Sequence, residues 1–165
     1  MAAVLARGVA PRIRQAVSDD LDAVNAVVEA GVWSWDLPER VKRLVMPSYR
    51  YTAADLQHLN LRVLELDGDL AAVAAWEPLS RQELPERVPA ALLHGLYVRP
   101  VHHRRGLGTL LVEDGAEAAC AAGQAGILVR AQTGAEGFFA RRGFTRLPVR
   151  DEARDYAARL WRPVS

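Results

Sequence analysis

Cysteine and lysine are almost missing from this chain. Cys120 is the only cysteine, so no disulfide can form within one copy, and the small disulfide-stapled folds are excluded. Lysine occurs once, as Lys42, and the other basic residues are arginine. Such a bias can reflect genome composition, so arginine abundance alone points to no partner. No apolar run nears the roughly 18 residues that a membrane span needs. The longest, Leu70 to Trp76, is far shorter. Neither sign of charge dominates, with 21 basic against 20 acidic residues and a net charge of +1. Bulk charge therefore indicates no nucleic acid and no membrane surface. His102 and His103 are adjacent and have no further ligand at suitable spacing, so no metal is expected. A reducing bacterial cytoplasm is the expected setting.

What is present is material for a core. Half of the 165 residues are hydrophobic and a quarter are charged, which argues for a folded domain and against disorder. Residues 1–11 read as a loose leader without the basic start and long apolar stretch of a signal peptide. Residues 12–163 have the length of one ordinary domain.

The pattern along the chain predicts a mixed α/β architecture. Arg12 to Val17 reads as a first strand. Ser18 reads as a helix cap, with Asp19 and Asp20 in the favourable first turn. Leu21, Val24, Val27 and Val28 follow at helical spacing, and Gly31 is expected to end that helix. A second helix is expected over Trp33 to Met46, and a short one opening at Thr52. Leu61 to Leu66 and Leu70 to Glu77 flank Asp67-Gly68-Asp69, the signature of a hairpin with a tight turn. Pro78 to Pro89 is a loop and Ala90 to Val98 a strand. A helix is expected from about Gly106 to Ala122 and a strand over Gly126 to Gln132. A short helix over Thr133 to Arg142 and strands at Phe144 to Val149 and Tyr156 to Pro163 complete the order. Cys120 is expected to pack on the apolar side of its helix.

Chemistry concentrates at one place. The run from His94 to Gly108 carries a strand into a loop with glycines at 106 and 108, where a helix starts. Main-chain N–H groups at a helix start lack intrahelical partners and attract anions. Gly106 and Gly108 let a ligand approach the backbone, and Arg104 and Arg105 can add charge-assisted bonds to phosphate. No Gly-Lys-Ser/Thr follows, and the third glycine of a dinucleotide fingerprint is missing.

Together with a second block, this run resembles the GNAT superfamily of acyl-CoA-dependent N-acetyltransferases. Val98, Pro100, His103, Gly106 and Gly108 match the positions of its acyl-CoA loop. Ala135, Phe138-Phe139 and Gly143-Phe144 match a later block, in the expected order. The resemblance covers about residues 12–163. It implies a mostly antiparallel sheet of about six to seven strands flanked by helices, with one splayed strand pair. It also implies acetyl-CoA as co-substrate, a small amine or amino-acid-like acceptor, and direct attack of the amine in a ternary complex. Dimers are frequent in the superfamily, so a homodimer is the leaning.

The site residues follow from the same resemblance. Leu96, Tyr97, Val98, His103, Arg104, Arg105, Gly106, Leu107, Gly108, Thr109, Gln132 and Phe139 would hold the coenzyme. His94 would remove the amine proton, with Glu77 in reserve. Leu92 stands where the histone-modifying relatives carry a glutamate. Trp33, Trp35 and Tyr51 would wall the acceptor site. Two departures stand out: His103 replaces glutamine or arginine, and Phe139 replaces the tyrosine that protonates the leaving thiolate in many relatives. Tyr97 and Tyr156 are the candidate substitutes. His94 as a packed histidine, the aromatics as core, and a non-catalytic acyl-CoA-binding module all stay open as alternatives.

Overall fold

The computed structural model describes residues 10–84, 86–132, 134–152 and 158–165. Part of the leader, Thr133 and Tyr156 lie outside the described residues. Twelve elements can be labelled. The strands are β1 (Arg12–Gln15), β2 (Asn60–Leu66), β3 (Asp69–Pro78), β4 (Ala90–Val98), β5 (Gly126–Arg130), β6 (Thr145–Arg146) and β7 (Arg159–Pro163). The helices are α1 (Leu21–Trp33), α2 (Glu39–Tyr49), α3 (Asp55–His58), α4 (Leu107–Ala121) and α5 (Glu136–Ala140). The strands form one sheet in the order β1-β2-β3-β4-β5-β7-β6. Every pairing is antiparallel except β4 with β5.

Two apolar layers cover the sheet. On α1, Val24, Val27, Val28 and Val32 are fully buried at the spacing of one helical face. They pack with Leu61, Val63, Val73 and Ala75 of β2 and β3. The other face buries Leu107, Leu111, Val112 and Ala116 of α4 against Leu64, Ala72, Ala74 and Trp76. Because both faces are covered, β3 reads as a nearly continuous apolar run, unlike the alternating strand of a one-sided sheet. The hairpin between β2 and β3 turns through Asp67 and Gly68, both at positive φ, as the tight turn requires.

Several boundaries differ from the sequence reading. A short 3₁₀ turn at Ser18–Asp20 precedes α1, and Ser18 caps nothing. Asp20 supplies the local bond instead, accepting from the Val17 N–H at 2.8 Å. Gly31 does not stop α1, which runs on to Trp33. Gly31 faces Tyr97, whose ring atom Cδ1 would lie 3.3 Å from an added Cβ. The second helix starts only after Pro38. Cys120 is exposed, because α4 turns Leu111, Val112, Ala116 and Ala119 inward instead. Phe144 leaves its expected strand to join the core, and β6 keeps two residues.

Asp20 also joins β1 to the start of α1. Arg14 donates to both of its carboxylate oxygens, at 2.7 and 2.9 Å, and to Glu65 at 2.8 Å. These bonds hold the Asp20 carboxyl at about 2, below its ordinary 3.8. A depressed carboxyl stabilises the fold above its unfolded value and loses that contribution as pH falls through the folded one. Acid unfolding of Asp20→Asn should therefore differ from wild type above pH ~4 and converge with it near pH ~2.

Candidate active site

The cleft originates in the β4–β5 pair. Pairing covers only Ala90–Leu93 against Gly126–Val129. Beyond Leu93, β4 continues to Val98 along β3, while β5 ends at Arg130, paired with β7 over its whole length. The Arg99 N–H bonds back to Ala71 of the β3 side at 2.9 Å. Alternation along an antiparallel strand then directs the main-chain groups of Leu96 and Val98 into the gap. The Val98 carbonyl accepts from His103 Nε2 at 3.0 Å, so the ring that replaces glutamine or arginine ties the loop to the strand.

The loop after β4 is built for exposed amides. Arg104 and Gly106 both adopt positive φ, 64° and 77°. α4 then starts, and its first ladder bond runs from the Leu110 N–H to the Gly106 carbonyl at 3.1 Å. Among the described residues no acceptor reaches the N–H groups of Arg104 to Thr109. A turn of this kind at a helix start is an anion site. The groove beside it, about 470 Å³, is lined by Leu96, Tyr97, Val98, His103, Arg104, Gly106, Leu107, Gly108, Thr109 and Phe139. Gly108 has no spare room, because an added Cβ would lie 3.1 Å from Phe138 Cζ.

Two predicted coenzyme residues stand elsewhere. Arg105 is exposed, with Nη1 3.0 Å from His102 Nδ1. Gln132 lines the adjoining hollow and donates to Tyr49 Oη at 3.3 Å. Sequence reasoning missed Arg142. Its guanidinium lies over the Phe138 ring at 3.6 Å and donates to Thr109 Oγ1 and the Phe138 carbonyl, each at 2.6 Å. It joins α5 to the start of α4 at the groove wall. In an arginine-rich chain, nothing in its local sequence singled it out.

His94 sits on a bulge. β3 pairs Ala75 with Gly95 and then Trp76 with Leu93, which leaves His94 as the extra residue of β4. A bulge breaks strand parity, so His94 does not alternate in step with Leu96 and Val98. Its exposed ring lies beside Tyr51, with Nδ1 3.4 Å from Tyr51 Oη. Tyr51 is 4% exposed. Burial first, then Tyr97 and the charges of Asp55 and Glu77, push its hydroxyl well above the ordinary tyrosine range. Burial does the same to Tyr97, followed by Tyr49, so both phenols stay protonated.

Gly95 makes this packing feasible. An added Cβ would fall 2.6 Å from Tyr51 Oη and 2.8 Å from Tyr97 Cε2. Gly95→Ala should push Tyr51 off His94 and lower stability by about 1–3 kcal/mol, read from the midpoint of denaturant unfolding.

The remaining candidates separate. Trp35 lines both the groove beside the turn and the hollow that holds His94. Trp33 packs on the α1 core, and its carbonyl accepts from Lys42 Nζ at 2.7 Å. Glu77 lines a different hollow, together with His58, Asn60 and Asp114. Phe139 is 5% exposed and stacks edge-on with Phe138 and Phe144, so it is both core and groove wall.

Residues 57–146 match the model of the acetyltransferase (GNAT) domain. This chain belongs to the GNAT acetyltransferase family. No curated protein matches it. Solved GNAT structures share the fold at low identity. The PaiA N-acetyltransferase of Thermoplasma acidophilum, in complex with coenzyme A, is 14% identical with a TM-score of 0.76, covering 94% of this chain and 99% of that one. A GNAT acetyltransferase of Brucella melitensis, in complex with acetyl-CoA, is 18% identical with a TM-score of 0.64, covering 94% and 89%. The ribosomal-protein-S18-alanine N-acetyltransferase of Escherichia coli is 19% identical with a TM-score of 0.63, covering 94% and 95%. Membership in this family supports acetyl-CoA-dependent acetyl transfer as the general chemistry. The open strand edge, the unpartnered amides and the uncrowded surface of Gly106 fit such a coenzyme. No helix among the described residues is long and apolar enough to cross a membrane.

Proposed function

We propose that this GNAT protein transfers an acetyl group from acetyl-CoA to the primary amine of a small-molecule acceptor, by direct attack with both substrates in the cleft. The observation that carries this is the set of unpartnered amides from Arg104 to Thr109, opening on the same groove as the free edge of β4. Those amides would hold the diphosphate. The main chain of Leu96 and Val98 would align the pantetheine arm as an added strand. One N–H there would stabilise the developing oxyanion. Bound acetyl-CoA supplies an acyl group activated as a thioester.

His94 would act as the base. With Nδ1–H given to the Tyr51 oxygen, Nε2 keeps its lone pair for the proton of the amine. The nitrogen would then bond to the acetyl carbon as the carbon–sulfur bond breaks, and the proton that the acylated nitrogen loses would pass through water to the thiolate. A free thiol pKa is roughly 8.5, so the thiolate needs no strong acid, and Phe139 does not block the reaction.

One observation favours a second reading, a non-catalytic acyl-CoA-binding module. Phe139 brings no hydroxyl to the groove, and it packs in the core between Phe138 and Phe144. An acceptor screen read by thiol release separates the two. Acetyl transfer predicts that acetyl-CoA raises the melting temperature and that some amine drives thiol release. Binding with no turnover across a broad amine panel would establish the module instead.

A further inference from the structure

The acceptor half of the cleft has a composition that narrows its substrate. Beyond Trp35, two adjoining hollows share Tyr49, Gln132 and Ala135, and the outer one has a volume of about 960 Å³. Rings dominate the wall. Trp35 meets Tyr49 edge-on at 5.3 Å and lies nearly parallel to Tyr97 at 6.4 Å. Leu37 and Val45 extend the apolar surface outward, and Leu37 is 42% exposed there.

Charge on this wall is one-sided. Asp36 lines the outer hollow and makes no ion pair among the described residues. Arg130, the one arginine among the described residues lining either hollow, donates to both carboxylate oxygens of Glu83 at 2.6 Å, so its charge is already met. An acceptor carrying a carboxylate would find no free guanidinium or ammonium group here. It would also meet Asp36 at the entrance. A cationic amine meets the reverse: Asp36 attracts it, and aromatic side chains such as Trp35 and Tyr49, which line both hollows, are favourable neighbours for an ammonium group.

Resting on the acetyl-transfer reading above, we infer that the acceptor is a primary amine borne on an aromatic or similarly bulky apolar group, not an acidic amino acid. The rings hold its apolar body, and Asp36 sets the sign of charge that enters.

The test uses the full chain saturated with acetyl-CoA, with 2-phenylethylamine, n-butylamine and L-glutamate as probes. Thiol release should give 2-phenylethylamine a kcat/KM at least ~10-fold above either of the others, the discrimination an apolar contact supplies. Asp36→Asn should raise its KM and leave kcat unchanged. Binding is read separately, by calorimetry of 2-phenylethylamine into protein saturated with coenzyme A. Preference for L-glutamate, parity among the three amines, or no heat from 2-phenylethylamine would each overturn the inference while leaving acetyl transfer standing. Failure of acetyl-CoA itself to bind would remove both.

Discussion

Alanine in place of His94 should lower kcat by about 10²–10⁴-fold, the range spanned by a positioned acid or base. The affinity for coenzyme A should stay unchanged, because the amides that would grip it lie beyond Val98, in the turn at 104–109. The size of the effect rests on position. The bulge in β4 takes His94 out of the pairing with β3 and sets its ring against Tyr51 at the head of the splayed gap. A protonated phenol there can fix the ring's orientation, so Tyr51 is a positioning residue. Free imidazole supplied in solution should restore part of the lost rate in His94→Ala, as it would for a missing proton acceptor. An unchanged kcat in His94→Ala would leave His94 as a packing residue only.

The second large effect concerns stability. Gly115 lies on the inner face of α4, directly over the indole of Trp76. A Cβ added there would lie 1.9 Å from Trp76 Cζ2 and 2.3 Å from Cε2. Trp76 is 5% exposed, so the ring has nowhere to move without displacing its neighbours. Gly115→Ala should therefore cost about 1–3 kcal/mol through overpacking, even though alanine is the better helix former. Shrinking the ring should relieve part of the strain. Gly115→Ala combined with Trp76→Phe should lose less than the sum of the two single changes, as expected for residues in contact. Urea unfolding of the four proteins measures the coupling. Strict additivity would mean that the helix shifts outward instead of pressing on the indole.

Much of this architecture could be read from the residues, for physical reasons that differ by element. The valines of α1 recur with the helical period, and the turn at Asp67-Gly68 leaves little choice but a hairpin. β4 was legible to the residue, since Pro89 and Pro100 bracket it and its interior is apolar. The free amides of the turn at 104–109 were legible because a helix start leaves its first N–H groups without partners and glycines keep them accessible. The rest was hidden for equally specific reasons. A bulge depends on how two strands slip against each other, and no single strand's pattern records that, so the setting of His94 against Tyr51 is not readable from sequence. Gly31 has the look of a helix stop in sequence, yet it is small because Tyr97 packs against it. Arg142 acts through Thr109 and Phe138, a partnership set by tertiary packing. Glu77 lines a different hollow from His94, and Trp33 packs on the α1 core, placements set by tertiary packing.

In the proposed reaction, the turn from Arg104 to Thr109 would grip the diphosphate of the coenzyme through its main-chain amides. Titration of isotope-labelled protein with coenzyme A, following backbone amide resonances, tests this directly. The amides of residues 104–109 should show the largest shifts, and pantetheine, which lacks the diphosphate, should leave them nearly unmoved. Coenzyme A binding that shifts other amides and spares this turn would contradict the account.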